Sequence, residues 1–155
     1  MFKLKVNNYQ VTEMKEDDLS GASYLFSNLF GVEEKPIELA KKSYDNIRNN
    51  RDYVSLVVRD SLDPNRIVGY GLGVVNNFYL DTGKPMMVIW GLCIDNSVQK
   101  KGLGRMLMQA FETKAVELGC EAIWLFSGKH KTNSHKLYSS LGYEDAKKGF
   151  IKNLI

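Results

Sequence analysis

Residues 99–105 of this 155-residue chain read Gln-Lys-Lys-Gly-Leu-Gly-Arg, and this stretch decides the fold. Before it lies a continuously apolar run, residues 86–94, which is typical of a buried strand. From Leu103 onward, apolar residues recur at helical spacing. The stretch therefore lies where a strand ends and an amphipathic helix begins. At a helix N-terminus the first N–H groups lack partners within the helix and carry the positive end of its dipole, so successive amides can cradle a diphosphate.

The residue types of this stretch suit an anion. Gly102 and Gly104 let the backbone approach a ligand without obstruction by a Cβ atom, and Lys100, Lys101 and Arg105 add positive charge. Two other interpretations stay open, in which the glycines form a tight turn and the basic residues are a solvated helix start. A nucleic-acid site is less favoured, because no aromatic residues interleave with the basic ones to stack bases.

The rest of the chain alternates between strand and helix patterns. The periodicity predicts strands over 9–14, 53–58, 66–75, 86–94, 122–126 and 149–154, and helices over 19–29, 36–47, 103–118 and 132–141. Three consecutive strands joined by turns predict an antiparallel meander, and the strand-helix-strand unit after them predicts a parallel pair. We expect a mixed α+β fold, in which a mostly antiparallel twisted sheet carries helices on both faces and the run 86–94 lies near its centre with both faces buried.

Composition argues against several classes of protein. Apolar residues make up 44% and charged residues 25%, as in ordinary globular proteins, and we expect one domain over residues 1–155. The net charge of +3 is too small to indicate a nucleic-acid or membrane partner. No apolar run approaches the ~18 residues of a membrane span, and no signal peptide is evident, so we expect a cytoplasmic protein. Cys93 and Cys120 lack CxxC spacing and His130 and His135 lack a third ligand, which predicts reduced cysteines and no metal site.

Two motifs, in this order, resemble those of the GNAT superfamily of N-acetyltransferases. Leu92-Cys93-Ile94 followed by Gln99-x-x-Gly102-x-Gly104 resembles the coenzyme A motif of that family. Residues 134–143, Ser-His-Lys-Leu-Tyr-Ser-Ser-Leu-Gly-Tyr, resemble its final motif, in which a helix carries a tyrosine four residues before a Gly-aromatic pair. The two motifs together are far more specific than either alone. The predicted order of elements also fits the family along nearly the whole chain.

The resemblance implies acetyl-coenzyme A as co-substrate and an amine as acceptor. The strands that end near Ile94 and Phe126 would splay apart to admit the pantetheine arm, whose partners would include the backbone of residues 92–94, and the amides of residues 99–105 would hold the pyrophosphate. The implied cofactor-binding residues are Leu92, Cys93, Ile94, Gln99, Lys100, Lys101, Gly102, Leu103, Gly104, Arg105 and Ser134. Because Cys93 lies on an apolar strand and no other nucleophile is evident, direct transfer within a ternary complex is favoured over a covalent route.

The resemblance assigns the proton-donating role to Tyr138, as general acid toward the departing thiolate of coenzyme A. A phenol, with an unperturbed pKa near ~10, can donate this proton. The alternative is a tyrosine that packs in the core beside Leu137 and Leu141. The glutamate that often serves as base in this family is absent, since Val88 stands at its ungapped position, which leaves the base open and a water relay as one alternative.

The motifs depart from the common pattern in the last helix, and the acceptor is not identified. Lys131 and Asn133 stand where many relatives have Asn or Arg, and Ser134 replaces a frequent alanine. Small-molecule amines and peptide amines both fit, in a monomer or a homodimer. Four residues have two interpretations each: Glu33 and Glu34 attract a cationic amine or cap a helix, and Trp90 and Tyr24 line an acceptor pocket or pack in the core. Two other functions stay open, namely a noncatalytic acyl-coenzyme A sensor and a basic interaction or nucleic-acid module.

Overall fold

One six-stranded sheet organises the chain in a computed structural model, which describes residues 4–77, 80, 82–145 and 152–154. The strands are β1 (Lys5–Val6), β2 (Tyr9–Glu13), β3 (Tyr53–Asp60), β4 (Ile67–Asn76), β5 (Met86–Ile94) and β6 (Ala122–Leu125). The α-helices are α1 (Leu19–Phe30), α2 (Ile37–Ile47), α3 (Leu103–Glu117) and α4 (Thr132–Ser140), and single-turn 3-10 helices cover Glu16–Asp18 and Asn96–Val98.

The strands follow one another across the sheet in chain order. Neighbours from β1 to β5 are antiparallel, whereas β5 and β6 are parallel and joined through α3. This arrangement confirms the predicted mixed fold, with its meander and its parallel unit. Among the described strands, β5 is next to the last rather than central. The two-residue β1 was not predicted. Of the predicted closing strand, residues 149–151 lie outside the described residues and 152–154 have no regular secondary structure.

The larger part of the core lies between the sheet and α3. Phe111 of α3 is fully buried, and a Cβ atom at Gly71 of β4 would lie 2.6 Å from its ring. In the same strand, a Cβ atom at Gly73 would lie 2.8 Å from the sulfur of Met87. Alternate glycines of β4 therefore make room for large side chains.

Helix α1 covers the opposite face of the sheet, where Leu25, Val57, Ile67 and Cys93 form a second buried cluster. Ahead of α1, Asp18 is buried and forms a two-pronged ion pair with Arg59 of β3, with both N–O distances at 2.8 Å. The acidic turn before α1 is thus anchored to the sheet. By contrast, no described residue of α2 is buried, so this helix lies at the surface.

Candidate active site

Strands β5 and β6 diverge halfway along β5. Their parallel pairing begins at Met86 opposite Ala122 and ends at Ile89 opposite Leu125. At the same point β5 bulges against β4, because Gly73 pairs with Ile89 and Leu72 pairs with Gly91, which leaves Trp90 as the extra residue. A bulge bends the strand that carries it and increases its twist. Residues 90–94 therefore keep β4 on one side and lose β6 on the other, which opens a gap in the sheet.

The predicted pantetheine-binding residues lie on the edge of this gap. Leu92 and Ile94 pack against the core on the α3 side, and Cys93 packs on the α1 side. The side chains of a strand point alternately to its two faces. The edge of residues 92–94 that faces the gap therefore consists of backbone groups. The sequence predicted that both faces of β5 are buried. This prediction is wrong at Trp90, which is 65% exposed because the bulge turns it outward.

The loop between β5 and α3 is held in shape by its own side chains. Asp95 accepts a hydrogen bond from the backbone N–H of Ser97 at 2.8 Å. The Gln99 side-chain amide donates to Oδ1 of Asn96 at 2.6 Å and to the carbonyl of Ile94 at 3.4 Å. The glutamine of the coenzyme A motif therefore braces the loop ahead of the helix.

The start of α3 leaves space in front of its first amides. Gly102, at the N-cap, has φ 78°, and a Cβ atom there would meet nothing within 4 Å. Lys100 also has a positive φ, 63°, a conformation that costs a non-glycine residue about 1–3 kcal/mol and is concentrated at ligand sites. Leu103, the first residue of α3, is buried and fixes the helix end against the core. The unpaired N–H groups of the first turn thus face an open region at a rigid position.

Two residues of the same motif make contacts with α4 that the sequence did not predict. The Arg105 guanidinium donates to the hydroxyl of Ser140 at 2.7 Å. A Cβ atom at Gly104 would lie 3.0 Å from Leu137, so glycine permits the close approach of the two helices. Lys101 lies with its ammonium 5.7 Å from the ring of Tyr9. Among the three basic residues of the motif, Arg105 therefore contacts α4. Its positive charge lies next to the loop that precedes α3.

Tyr138 lies on α4 and shares an open groove with Phe126 and Ser127, which follow the end of β6. It is half-buried against the core, and this burial raises the pKa of its phenol. Its ring centroid lies 6.2 Å from that of Tyr143. Burial raises the pKa of Tyr143 as well, and the nearby negative charge of Glu112 raises it further. Tyr138 therefore packs on the core and also carries a phenol that stays protonated at neutral pH.

Ser127 is a polar residue near the gap that the sequence analysis missed. Its hydroxyl oxygen is buried, and it has no hydrogen-bond partner among the described residues. No pattern around it distinguishes it from an ordinary strand-end serine. Ser134, which was predicted to contact the cofactor, is half-buried in the first turn of α4.

Four partly or largely exposed aromatic residues lie in two pairs near the gap and are here called the aromatic surface: Phe26, Phe30, Trp90 and Phe126. The ring centroids of Phe26 and Phe30 are 4.5 Å apart, and those of Trp90 and Phe126 are 5.8 Å apart. A Cβ atom at Gly91, the residue after Trp90, would lie 3.6 Å from Phe26, so the first pair lies close to the segment of β5 that carries the second. Of the alternatives for Trp90, core packing is therefore wrong.

Lys131, at the N-cap of α4, is a charged residue that contacts this surface. Its ammonium lies 4.1 Å from the ring centroid of Phe30. Burial raises the pKa of the Cys93 thiol to about 11, and the positive charge of Lys131 offsets only part of this rise. Tyr24 is 62% exposed, so core packing is wrong for it too. It lies two residues before Phe26, on the opposite side of α1.

Two features are absent among the described residues. None of their helices combines the length and the apolar character that crossing a bilayer requires. Within the same residues, no group of three or more His, Cys, Asp or Glu side chains could hold a metal ion.

The sheet splits between two parallel strands in front of an open helix N-terminus, as the resemblance to the GNAT family implied. The family model described as the acetyltransferase (GNAT) family matches residues 19–143, so the chain belongs to the GNAT acetyltransferase family. No curated protein matches the sequence.

Solved structures have the same fold. A transcriptional regulator from Bacillus halodurans C-125 has a TM-score of 0.85 at 18% identity, over 94% of this chain and 99% of that one. An aminoglycoside acetyltransferase from an uncultured soil metagenomic sample, in complex with sisomicin, has a TM-score of 0.81 at 22% identity, over 96% and 98%. An aminoglycoside N-acetyltransferase in complex with CoA has a TM-score of 0.79 at 15% identity, over 99% and 96%. At these identities the likeness establishes the fold and not the substrate.

Proposed function

We propose that this protein transfers an acetyl group from acetyl-coenzyme A to the primary amine of an acceptor, by direct attack in a ternary complex. The observation that carries the proposal is the position of the gap between β5 and β6, which opens directly ahead of the loop at the start of α3. A ligand with a long arm and a diphosphate fits such a pair of features, because the arm requires a free strand edge and the diphosphate requires unpaired amides. Membership of the GNAT family and a relative solved with CoA support this choice of ligand.

The loop at residues 99–105 would bind the diphosphate through backbone amides. Gly102 supplies the open space in front of them, and Lys100, Lys101 and Arg105 supply positive charge. Gln99 acts on the ligand through the loop, since its amide is hydrogen-bonded to Asn96. The backbone edge of Leu92, Cys93 and Ile94 would bind the pantetheine arm, and Leu103, Gly104 and Ser134 would complete the site from α3 and α4.

In the chemical step, the nitrogen lone pair of the amine attacks the thioester carbonyl carbon. The N–C bond forms, the C–S bond breaks, and the leaving sulfur takes a proton from the Tyr138 hydroxyl. The proton lost by the amine goes to water, since Val88 stands at the position where relatives often have a glutamate, and water returns a proton to the Tyr138 phenolate. A thiol whose pKa is raised to about 11 is almost entirely protonated at neutral pH, which argues against a covalent intermediate on Cys93.

A matched pair of glycine variants tests binding. Saturating coenzyme A should raise the melting temperature of the wild type by roughly 5–10 °C, since a ligand at 100 times its Kd stabilises the native state by about 2.7 kcal/mol. Gly102→Asp should abolish this rise by placing a carboxylate where the diphosphate must lie. Gly119→Asp is the control, because Gly119 follows the other end of α3 with φ 75° and equally open space. Unchanged wild-type melting temperature and calorimetric heats would overturn the assignment of coenzyme A.

A second candidate function is a noncatalytic acyl-coenzyme A sensor. It is supported by the relative that is described as a transcriptional regulator. Both candidates require coenzyme A binding, but only the enzyme releases free thiol from acetyl-coenzyme A in the presence of an amine. A thiol-release screen over a panel of amines therefore separates the two.

A further inference from the structure

The aromatic surface lies where an acceptor must enter. Phe26 lies close to β5 at Gly91, directly beside residues 92–94, and Trp90 and Phe126 lie where the two strands diverge. Phe30 extends the surface along α1 to Lys131. A molecule on this surface would have its amine beside the thioester, if the pantetheine arm lies in the gap as proposed above.

The exposure of these rings indicates an apolar ligand. Trp90 is 65% exposed and Phe126 is 58% exposed, although each is large enough to contribute substantially to a core. Exposed aromatic side chains that form a contiguous patch mark binding sites, because single exposed apolar residues are ordinary but clusters of them are not. A ring-sized body packed on these rings would remove part of their exposed apolar area from water.

The charge beside the rings decides which kind of apolar ligand fits. Aromatic faces also attract cations, so the rings alone would suit a polycationic amine. The ammonium of Lys131, however, already lies over the face of Phe30 and would repel a second cation nearby. The same ammonium can donate hydrogen bonds to an anionic group.

We propose that the aromatic surface is the acceptor site, and that its substrate is an amine carried on a ring-sized apolar body that also bears an anionic group. Aromatic amino acids are the simplest molecules of this class. The inference rests on the proposed function, because it places the acceptor opposite the acetyl group.

Two pairs of probes test the two halves of the inference separately. Tryptophan and tryptamine differ only in the carboxylate, as do phenylalanine and phenethylamine. Their binding is measured by calorimetry in the presence of saturating coenzyme A, which reports acceptor affinity without turnover. Each amino acid should bind at least about threefold more tightly than its decarboxylated partner. Sisomicin, a polycation, and glucosamine 6-phosphate, an anion without a ring-sized apolar body, should bind more weakly than tryptophan.

Two variants with matched controls assign the preference to residues. Trp90→Ala should weaken all four aromatic probes by about tenfold. Tyr53→Ala, an exposed aromatic residue at the start of β3, should leave them unchanged. Lys131→Met should abolish the preference for the carboxylate, whereas Lys129→Met, two residues earlier in the same loop, should preserve it.

The outcomes separate this inference from the proposed function. If coenzyme A does not bind on its own, the proposed function fails first. If coenzyme A binds but sisomicin or glucosamine 6-phosphate binds more tightly than tryptophan, only the acceptor class is overturned. The same holds if the Trp90 and Lys131 variants behave like their controls.

Discussion

The two halves of β5 are equally apolar in sequence and differ in their surroundings. Residues 86–89 pair with β4 on one side and β6 on the other, and Met87 and Ile89 are buried. Residues 90–94 keep only β4, and they begin with the exposed Trp90. The bulge at Trp90 marks the boundary between the two halves.

This difference assigns different tasks to the two halves. A strand with two neighbours has its backbone groups satisfied by the sheet, whereas a strand that loses a neighbour must satisfy one edge with water or with a ligand. Stability should therefore depend on the first half, and binding on the second. Substitutions that affect only one of these properties test the division.

The largest expected effect is on catalysis. Tyr138→Phe removes the proton donor and retains the ring that packs on the core, so turnover should fall by about 10²–10⁴, or roughly 3–5 kcal/mol in activation free energy. Affinity for coenzyme A should not change. Thiol release with the acceptor found in the amine panel measures the first quantity, and calorimetry measures the second.

Tyr143→Phe is the matched control for this variant. Tyr143 packs against Tyr138, but its hydroxyl is hydrogen-bonded to Glu112. It should keep most of the activity. A rate for Tyr138→Phe within about threefold of the wild type, with chemistry rate-limiting, would remove the acid role. Loss of both folding and affinity would instead favour a purely structural tyrosine.

The next effect is on stability and belongs to the first half. Met87→Ala should lower the free energy of unfolding by about 2–5 kcal/mol, because Met87 is fully buried and fills the space left by Gly73. Trp90→Ala, three residues later, should change it by no more than about 0.5 kcal/mol, since the side chain is mostly exposed. Urea denaturation followed by circular dichroism measures both variants. Equal losses would contradict the division of β5 at the bulge.

The sequence predicted the elements that depend on local patterns. Strand β5 has the predicted bounds, and α3 begins at the predicted Leu103, because a continuous apolar run and a helical period are strong local signals. The family was predicted from two motifs in the right order and is confirmed by the family match.

Features that depend on contacts between distant segments could not be predicted. The bulge at Trp90 arises from pairing with β4, and the run 86–94 looks uniformly apolar without it. Arg105 and Ser140 are 35 positions apart, and their contact requires α3 and α4 to be placed. The contact of Lys131 with Phe30 likewise joins the end of α1 to the start of α4. Much of the candidate site is built from such contacts, and for this reason its roles remain predictions.

The smallest expected effect is measured on the wild-type protein, as the difference in alkylation rate between its two cysteines. Cys93, in the second half of β5, is buried, and Cys120 is half-buried. Alkylation at pH 8 should modify Cys120 at least about tenfold faster, because burial raises the pKa of Cys93 to about 11 and also restricts access to its sulfur.

The pH dependence of this reaction has a definite sign. Only the thiolate reacts, and pH 7 to 9 lies below the raised pKa of Cys93, so its rate should rise about tenfold per pH unit across the whole window. In denaturant without reductant both thiols should react, as expected for unpaired cysteines. Peptide mass mapping follows each site.

Intact mass after incubation with acetyl-coenzyme A alone should show no added acetyl group. An acetyl group on Cys93 would contradict direct transfer and make the splayed half of β5 the source of a nucleophile.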